Sequence, residues 1–136
     1  MMKTKLILDK NVIVPNRDEW LKHVAGIIPD FSDDPTALIQ ALREREKIGS
    51  TRLADKLVMP HVVMPGIADG YIIVSQLESP VEWFDNHSVD TGTFLIVKGN
   101  DEAISNFVVH MADDSFVERL YERGIEKKTI ESLLEE

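Results

Sequence analysis

Two side chains in this sequence have the types and settings to do chemistry together. His61 follows Leu57-Val58-Met59-Pro60, a β-type run closed by a proline that cannot donate to a ladder. Strand ends open onto the loops where sites are built on a rigid sheet. A neutral imidazole in such a place is a competent nucleophile toward a phosphoryl group near pH 7. Upstream, Leu38, Ala41, Leu42 and Arg45 recur at three- and four-residue intervals, so a helix would aim Arg45 along its apolar stripe. Spacing alone leaves two readings of each residue. Arg45 either snorkels, with its stem on the core and its head in water, or grips an anion with its planar fork. His61 is either a structural histidine or the nucleophile.

Other chemistries find less support. The chain has no cysteine, which excludes disulfides, thiolate metal sites and cysteine catalysis together. The four histidines (His23, His61, His87, His110) have no H-x-x-x-H spacing, so no metal site is expected. His23 flanks the stripe of the first helix and His87 lies in a polar loop, Asp85-Asn86-His87-Ser88. No P-loop, Rossmann glycine fingerprint or G-x-S-x-G elbow is present. The acid pairs Asp33-Asp34 and Asp113-Asp114 suit helix caps better than carboxylate catalysis.

The elements that must position His61 and Arg45 can be read from periodicity. Lys5–Val14 reads as one or two short strands broken by a turn at Asp9–Asn11. Asn16 and Glu19 have capping-box spacing, and Trp20, Val24, Ile27 and Ile28 follow at helical intervals until Pro29. Residues 30–33 read as a polar link. Asp34-Pro35 then opens a second helix that carries Arg45 and ends near Ile48 at Gly49. Lys56–Val63, Tyr71–Leu77 and Thr91–Val97 are β-rich, with turns at Pro65-Gly66 and Asp69-Gly70. Asp101–Ala112 is helical, with Ile104, Phe107, Val108 and Met111 on one face. Asp113 or Asp114 caps a helix closed by Gly124, and Glu126–Glu136 forms a last amphipathic stretch. Strands and helices interleave, which predicts an α/β fold: a single domain over residues 1–136, its mixed sheet covered by helices.

Composition narrows the partners. A net charge of −9 with no basic stripe disfavours nucleic acid, whose affinity depends on neutralising phosphates. That charge serves solubility first, and a partner with a positive face second. No apolar run approaches a membrane span and the N-terminus lacks a signal-peptide pattern, so a cytoplasmic setting is expected.

The segments Arg45-Glu46-Lys47-Ile48-Gly49-Ser50-Thr51 and Leu57-Val58-Met59-Pro60-His61 carry a resemblance. In order and separation they resemble the signature of the enzyme IIA domains of the mannitol/fructose class of the bacterial phosphotransferase system. That signature is a helix ending in an Arg-Glu-Lys-like segment, a Gly-Ser/Thr turn and a strand ending in Pro-His. The likeness extends to Glu82-Trp83 and to Asp114–Leu120. It implies a single-domain sandwich of the phosphotransferase/anion-transport-protein kind. It implies further that His61 accepts a phosphoryl group from phosphorylated HPr and passes it to a IIB domain of a sugar permease. Arg45 matches the family's active-site arginine, and Asp55 an acidic position whose role is turn solvation or orientation of a site group. No cofactor is implied, since the donor is a protein, and the membrane is approached only through the permease. Docking would use a small apolar patch around His61 with an acidic rim.

Three departures accompany the resemblance. Many members carry a second active-site histidine near the start of the helix after the third main strand. Here the match puts that position near Asn100, a hydrogen-bonding substitute, in a shortened loop, Lys98-Gly99-Asn100-Asp101. His110 falls off the apolar face near the far end of that helix and does not replace it. Val62 stands where many members have glycine. The departures give weight to an alternative, a regulatory or sensor module that binds a partner or receives phosphate without sugar transport.

Overall fold

The computed structural model describes residues 4–31, 34–99 and 101–135. Its centre is a pair of long strands, β5 (Gly70–Glu82) and β6 (Ser88–Val97), running antiparallel. β1 (Thr4–Val12) joins the outer side of β5 in parallel, with its register shifting between Asp9 and Val12. That irregularity, with Asn11 at φ 60°, is the turn expected within the first strand; it bends one strand rather than dividing it in two. On the other side of β6 lie β3 (Leu57–Val58) and β4 (His61–Val63), both parallel to it, and β2 (Arg52–Ala54) is antiparallel to β3. The sheet is therefore mixed, as expected.

Both faces are covered. Tyr71 and Ile73 of β5 and Phe94 and Ile96 of β6 join a core with α1 (Arg17–Ile27) and α2 (Thr36–Ile48). The alternate residues, Ile72, Val74, Leu95 and Val97, join a second core with α3 (Glu102–His110), α4 (Asp114–Leu120) and α5 (Lys127–Leu134). Burial of both faces explains why these strands read as continuous apolar runs.

Local signals account for most boundaries. Asn16 caps α1 by accepting from the Glu19 N–H at 3.0 Å, Asp113 caps α4 through the Ser115 N–H at 2.9 Å, and Asp34 accepts from the Thr36 N–H at 3.2 Å. Asp33 lies outside the described residues. The expected polar link holds a 3₁₀ turn (Pro29–Phe31) instead, with Phe31 buried. Its Asp30 carboxylate accepts from the Tyr71 hydroxyl at 2.7 Å and the Ala68 N–H at 2.9 Å, so the link is fastened to β5. α4 ends at Leu120, before Gly124, and Val108 of α3 is partly exposed. The sheet and α5 cover only the narrow Ile104/Phe107/Met111 stripe, and Val108 falls at its margin. Among the described residues no helix is long and apolar enough to cross a membrane.

Trp20 locks α1 to the sheet. It is fully buried, packs edge-on against Trp83 (5.7 Å) and Phe94 (5.3 Å), and donates through Nε1 to Ser75 Oγ at 3.0 Å. Ser75 in turn donates to Asp9 Oδ2 at 2.9 Å, and the same oxygen accepts from His23 Nε2 at 2.8 Å. His23 is thus a structural histidine joining α1 to β1. Gly92 makes room for this cluster: a Cβ there would lie 2.5 Å from Phe94 Cε2 and 2.9 Å from Trp20 Cζ2. Gly92→Ala is expected to cost about 1–3 kcal/mol by overpacking. It should lower the urea midpoint with little change in m; an unchanged midpoint would show that the indole can shift freely.

Candidate functional site

The site forms where the sheet edge opposite β1 is interrupted. β3 pairs with Thr91 and Gly92 of β6, and β4 resumes on the same edge opposite Leu95, Ile96 and Val97. Between them Met59 and Pro60 break the ladder. The Pro60 carbonyl still accepts from the Leu95 N–H at 2.8 Å, so the chain stays attached through the break. His61 is therefore the first residue of a short strand, not the last of a longer one as the proline alone suggests. Among the described residues no strand pairs with the outer edge of β4.

Side-chain alternation then assigns the faces. Val62, opposite Ile96, is buried in the α1–α2 core. This is a packing role that glycine could not fill. His61, opposite Leu95, points to the α3 side. There it lines a cleft with Val97, Gly99, Asp101, Glu102, Ile104 and Ser105. Around the sheet edge it also lines a groove with Arg45, Glu44, Lys47, Ile48, Val62 and Val63 of α2 and β4. The imidazole sits at the divide between the two.

Arg45 lies where its stripe predicts. Leu38 and Leu42 are buried, Ala41 and Arg45 half-buried, and the guanidinium emerges at the C-terminal end of α2 beside His61. Its Nη1 donates to the Gly49 carbonyl at 3.0 Å. Partial burial of the imidazole and then the positive charge of Arg45 hold the His61 pKa below its ordinary value of 6.5. His61 is thus neutral, with a lone pair available, at pH 7.

The other expected residues fare differently. Asp55 is exposed in the turn between β2 and β3. Its neighbour Leu57 faces Thr91, four β6 residues short of the partner of His61, or about 13 Å along the strand. Asp55 is not brought to the imidazole; the turn-solvation reading fits its place. Asn100 lies outside the described residues. His110 bonds through Nδ1 to the Asn106 carbonyl at 2.9 Å and packs on Phe116, at the far end of α3 from the cleft. His87 lies in the β5–β6 turn, its Nδ1 against the Asp85 carbonyl at 3.1 Å.

Sequence reading missed the α3 wall of the cleft. Asp101 caps α3 through the N–H groups of Ala103 (2.9 Å) and Ile104 (3.1 Å). Its other oxygen accepts from the Thr4 hydroxyl and lies over Gly70, where a Cβ would approach it to 2.7 Å. Glu102 and Ser105 stand one helical turn apart on the exposed side of α3. The three-residue spacing was the available signal, because it separates them from the buried Ile104/Phe107 stripe.

The family model for the phosphoenolpyruvate-dependent sugar phosphotransferase system, EIIA 2, matches residues 1–136. The chain belongs to this EIIA family. No curated protein matches it in sequence. Its fold is similar to that of the nitrogen regulatory protein IIA-Ntr from Neisseria meningitidis, with a TM-score of 0.73 and 19% identity over 93% of this chain and 92% of that one. A putative PTS IIA domain from Streptococcus pyogenes aligns with a TM-score of 0.69 and 21% identity, covering 95% of this chain and 89% of that one. IIA mannitol from Escherichia coli aligns with a TM-score of 0.63 and 18% identity, covering 93% and 94%. The same mannitol protein has been solved in complex with phosphorylated enzyme IIB. This EIIA domain accordingly has the mixed sheet and helical layers of its structural relatives.

The two causes of the low His61 pKa can be separated. The imidazole of this domain is expected to titrate below pH 6.5, followed by its ring-proton shifts, and Arg45→Ala should raise the midpoint without restoring it fully. Because the folded midpoint is the lower one, the unfolded chain binds more protons below pH 6.5. His61 therefore subtracts stability on acidification through that range. A midpoint unmoved by Arg45→Ala would show that the guanidinium is too far away to matter.

Proposed function

We propose that this domain is a phosphohistidine carrier that accepts a phosphoryl group on His61 from phosphorylated HPr and donates it to a IIB domain. The observation that carries the reading is the meeting of Arg45 and His61 in one groove, from two elements and both sides of a sheet edge. The neutral ring nitrogen attacks phosphorus as the bond from phosphorus to the donor breaks, and that bonding pair returns to the donor. Arg45 neutralises charge on the equatorial oxygens during the in-line transfer. Transfer onward is the same step with the roles reversed. A cytoplasmic setting suits a domain that meets a carrier protein and the inner face of a permease.

The surroundings support a transient partner. Ile48 is 84% exposed and Val63 58% exposed beside His61, a small apolar patch that a docking protein would cover. Glu44 and Lys47 lie at the α2 rim, Asp101 and Glu102 at the α3 rim. A second reading, a regulatory module that is phosphorylated without feeding a sugar permease, draws on that α3 rim. Its described residues offer carboxylates and the Ser105 hydroxyl where the family's second histidine would be expected.

Incubation with phosphoenolpyruvate, enzyme I and HPr should add one acid-labile phosphate to the wild type, read by intact mass. His61→Ala should take none while keeping its fold, and Arg45→Ala should label at least about 100-fold more slowly. Labelling that persists in His61→Ala would remove His61 as the carrier. A labelled domain that passes phosphate to no IIB partner would favour the regulatory reading.

A further inference from the structure

Arg45 can serve a phosphoryl group only while its guanidinium is held beside His61, and its one protein anchor among the described residues is the Gly49 carbonyl. That carbonyl belongs to the linker between α2 and β2, a segment that would wander if it were fixed only at its ends. Within α2, Glu46 holds it by accepting from the Thr51 hydroxyl and from the Thr51 N–H at 3.4 Å. Longer-range support comes from the Met59 N–H, which donates to the Thr51 carbonyl at 2.8 Å, and, on the Gly49 side, from Asp85 in the turn between β5 and β6. Its Oδ2 accepts from Ser50 Oγ at 2.9 Å and from Arg52 Nε at 3.0 Å, while the Arg52 N–H donates to Ser50 Oγ at 3.2 Å.

The turn that presents Asp85 is itself rigid. The Trp83 N–H donates to the His87 carbonyl at 2.9 Å, the Asn86 N–H to the Trp83 carbonyl at 3.0 Å, and Asn86 takes φ 65°. Trp83 is buried against Trp20, and Asp85 Oδ1 accepts from the His87 N–H at 3.2 Å. Burial pushes the Asp85 carboxyl upward, but the hydrogen bonds from Arg52, Ser50 and the His87 backbone outweigh it and keep the group ionised. A chain of contacts thus runs from the aromatic core through Asp85 and Ser50 to Gly49, and from there to Arg45.

We propose that Asp85 is a positioning residue for the His61 site: by fixing Ser50 and Arg52 it sets the Gly49 carbonyl, and through it the guanidinium of Arg45. The inference rests on the reading of Arg45 and His61 as the phosphoryl site. It differs from a purely structural staple in one respect, because the staple need not alter the electrostatics at His61.

The sign of the His61 titration separates the two. Asp85→Asn removes a negative charge, which acting directly through space would lower the His61 midpoint. If Asp85 holds Arg45 in place, the guanidinium moves away and the midpoint rises instead toward that of Arg45→Ala. The other charged groups lining the two clefts, Glu44, Lys47, Asp101 and Glu102, are unchanged by these variants. Ser50→Ala, at an exposed position, cuts the same chain without touching the Asp85–Arg52 pair and guards against a misfolded Asp85 variant. The expected result is an upward shift in both variants, no further rise when either is combined with Arg45→Ala, and phosphorylation by HPr slowed on the order of 100-fold. An unchanged or lowered midpoint in folded Asp85→Asn and Ser50→Ala, or an equal rise in the Arg45→Ala background, would overturn the proposal. A wild type that takes no phosphate while these shifts appear would instead overturn the carrier reading, and the transfer role of Asp85 with it.

Discussion

Everything at the site depends on β4 holding to β6 after the break at Pro60. Three residues in parallel register with Leu95, Ile96 and Val97 decide which side chain enters the core and which enters the cleft. Shifted by one residue, the strand would bury the imidazole and expose Val62, since neighbouring side chains on a strand point to opposite faces. Just before it, at Met59 and Pro60, the edge is broken. The Pro60 carbonyl accepts from the Leu95 N–H across this break, so the strand is interrupted but not released.

Charge around His61 is distributed unevenly between the two walls of the site. Partial burial and then the charge of Arg45 lower the basicity of the imidazole and so leave a lone pair free at neutral pH. On the carrier reading proposed above, the same cation would attract the arriving phosphoryl oxygens. On the opposite side Asp101 is committed to capping α3 and Glu102 adds a second carboxylate, so this wall repels an anion. On that reading a phosphoryl group between the two walls would be drawn to the α2 side, where Ile48 and Val63 are exposed.

Much of this was legible in the sequence because the signals were local. Arg45 could be placed by helical period, and the caps of α1 and α4 by Asn16 and Asp113, whereas the proline marked the break beside His61 but not the short strand that His61 begins. What was not legible came from contacts between distant segments. β5 runs on past Ser79 and Pro80 to Glu82, although proline reads as a stop; the β5–β6 register shifts between Gln76 and Val81, so Pro80 falls where no ladder bond to β6 is made. Asp30 looked like part of a polar link because its partner, Tyr71, is forty-one positions away. Asp55 matched an acidic position in the family, yet the β2–β3 turn carries it toward the Thr91 end of the sheet. Spacing along the chain could not reveal that distance.

The contact of Asp101 with Gly70 and Thr4 has a consequence for how this domain can drift in sequence. One carboxylate closes the start of α3 and seals the first residues of β1 and β5 against it. A side chain at position 70 would press on the Asp101 Oδ2 and force that carboxylate to shift, although residue 70 lines neither cleft. Thr4, Gly70 and Asp101 thus meet at one carboxylate, and the start of two strands and of one helix share a single point of contact.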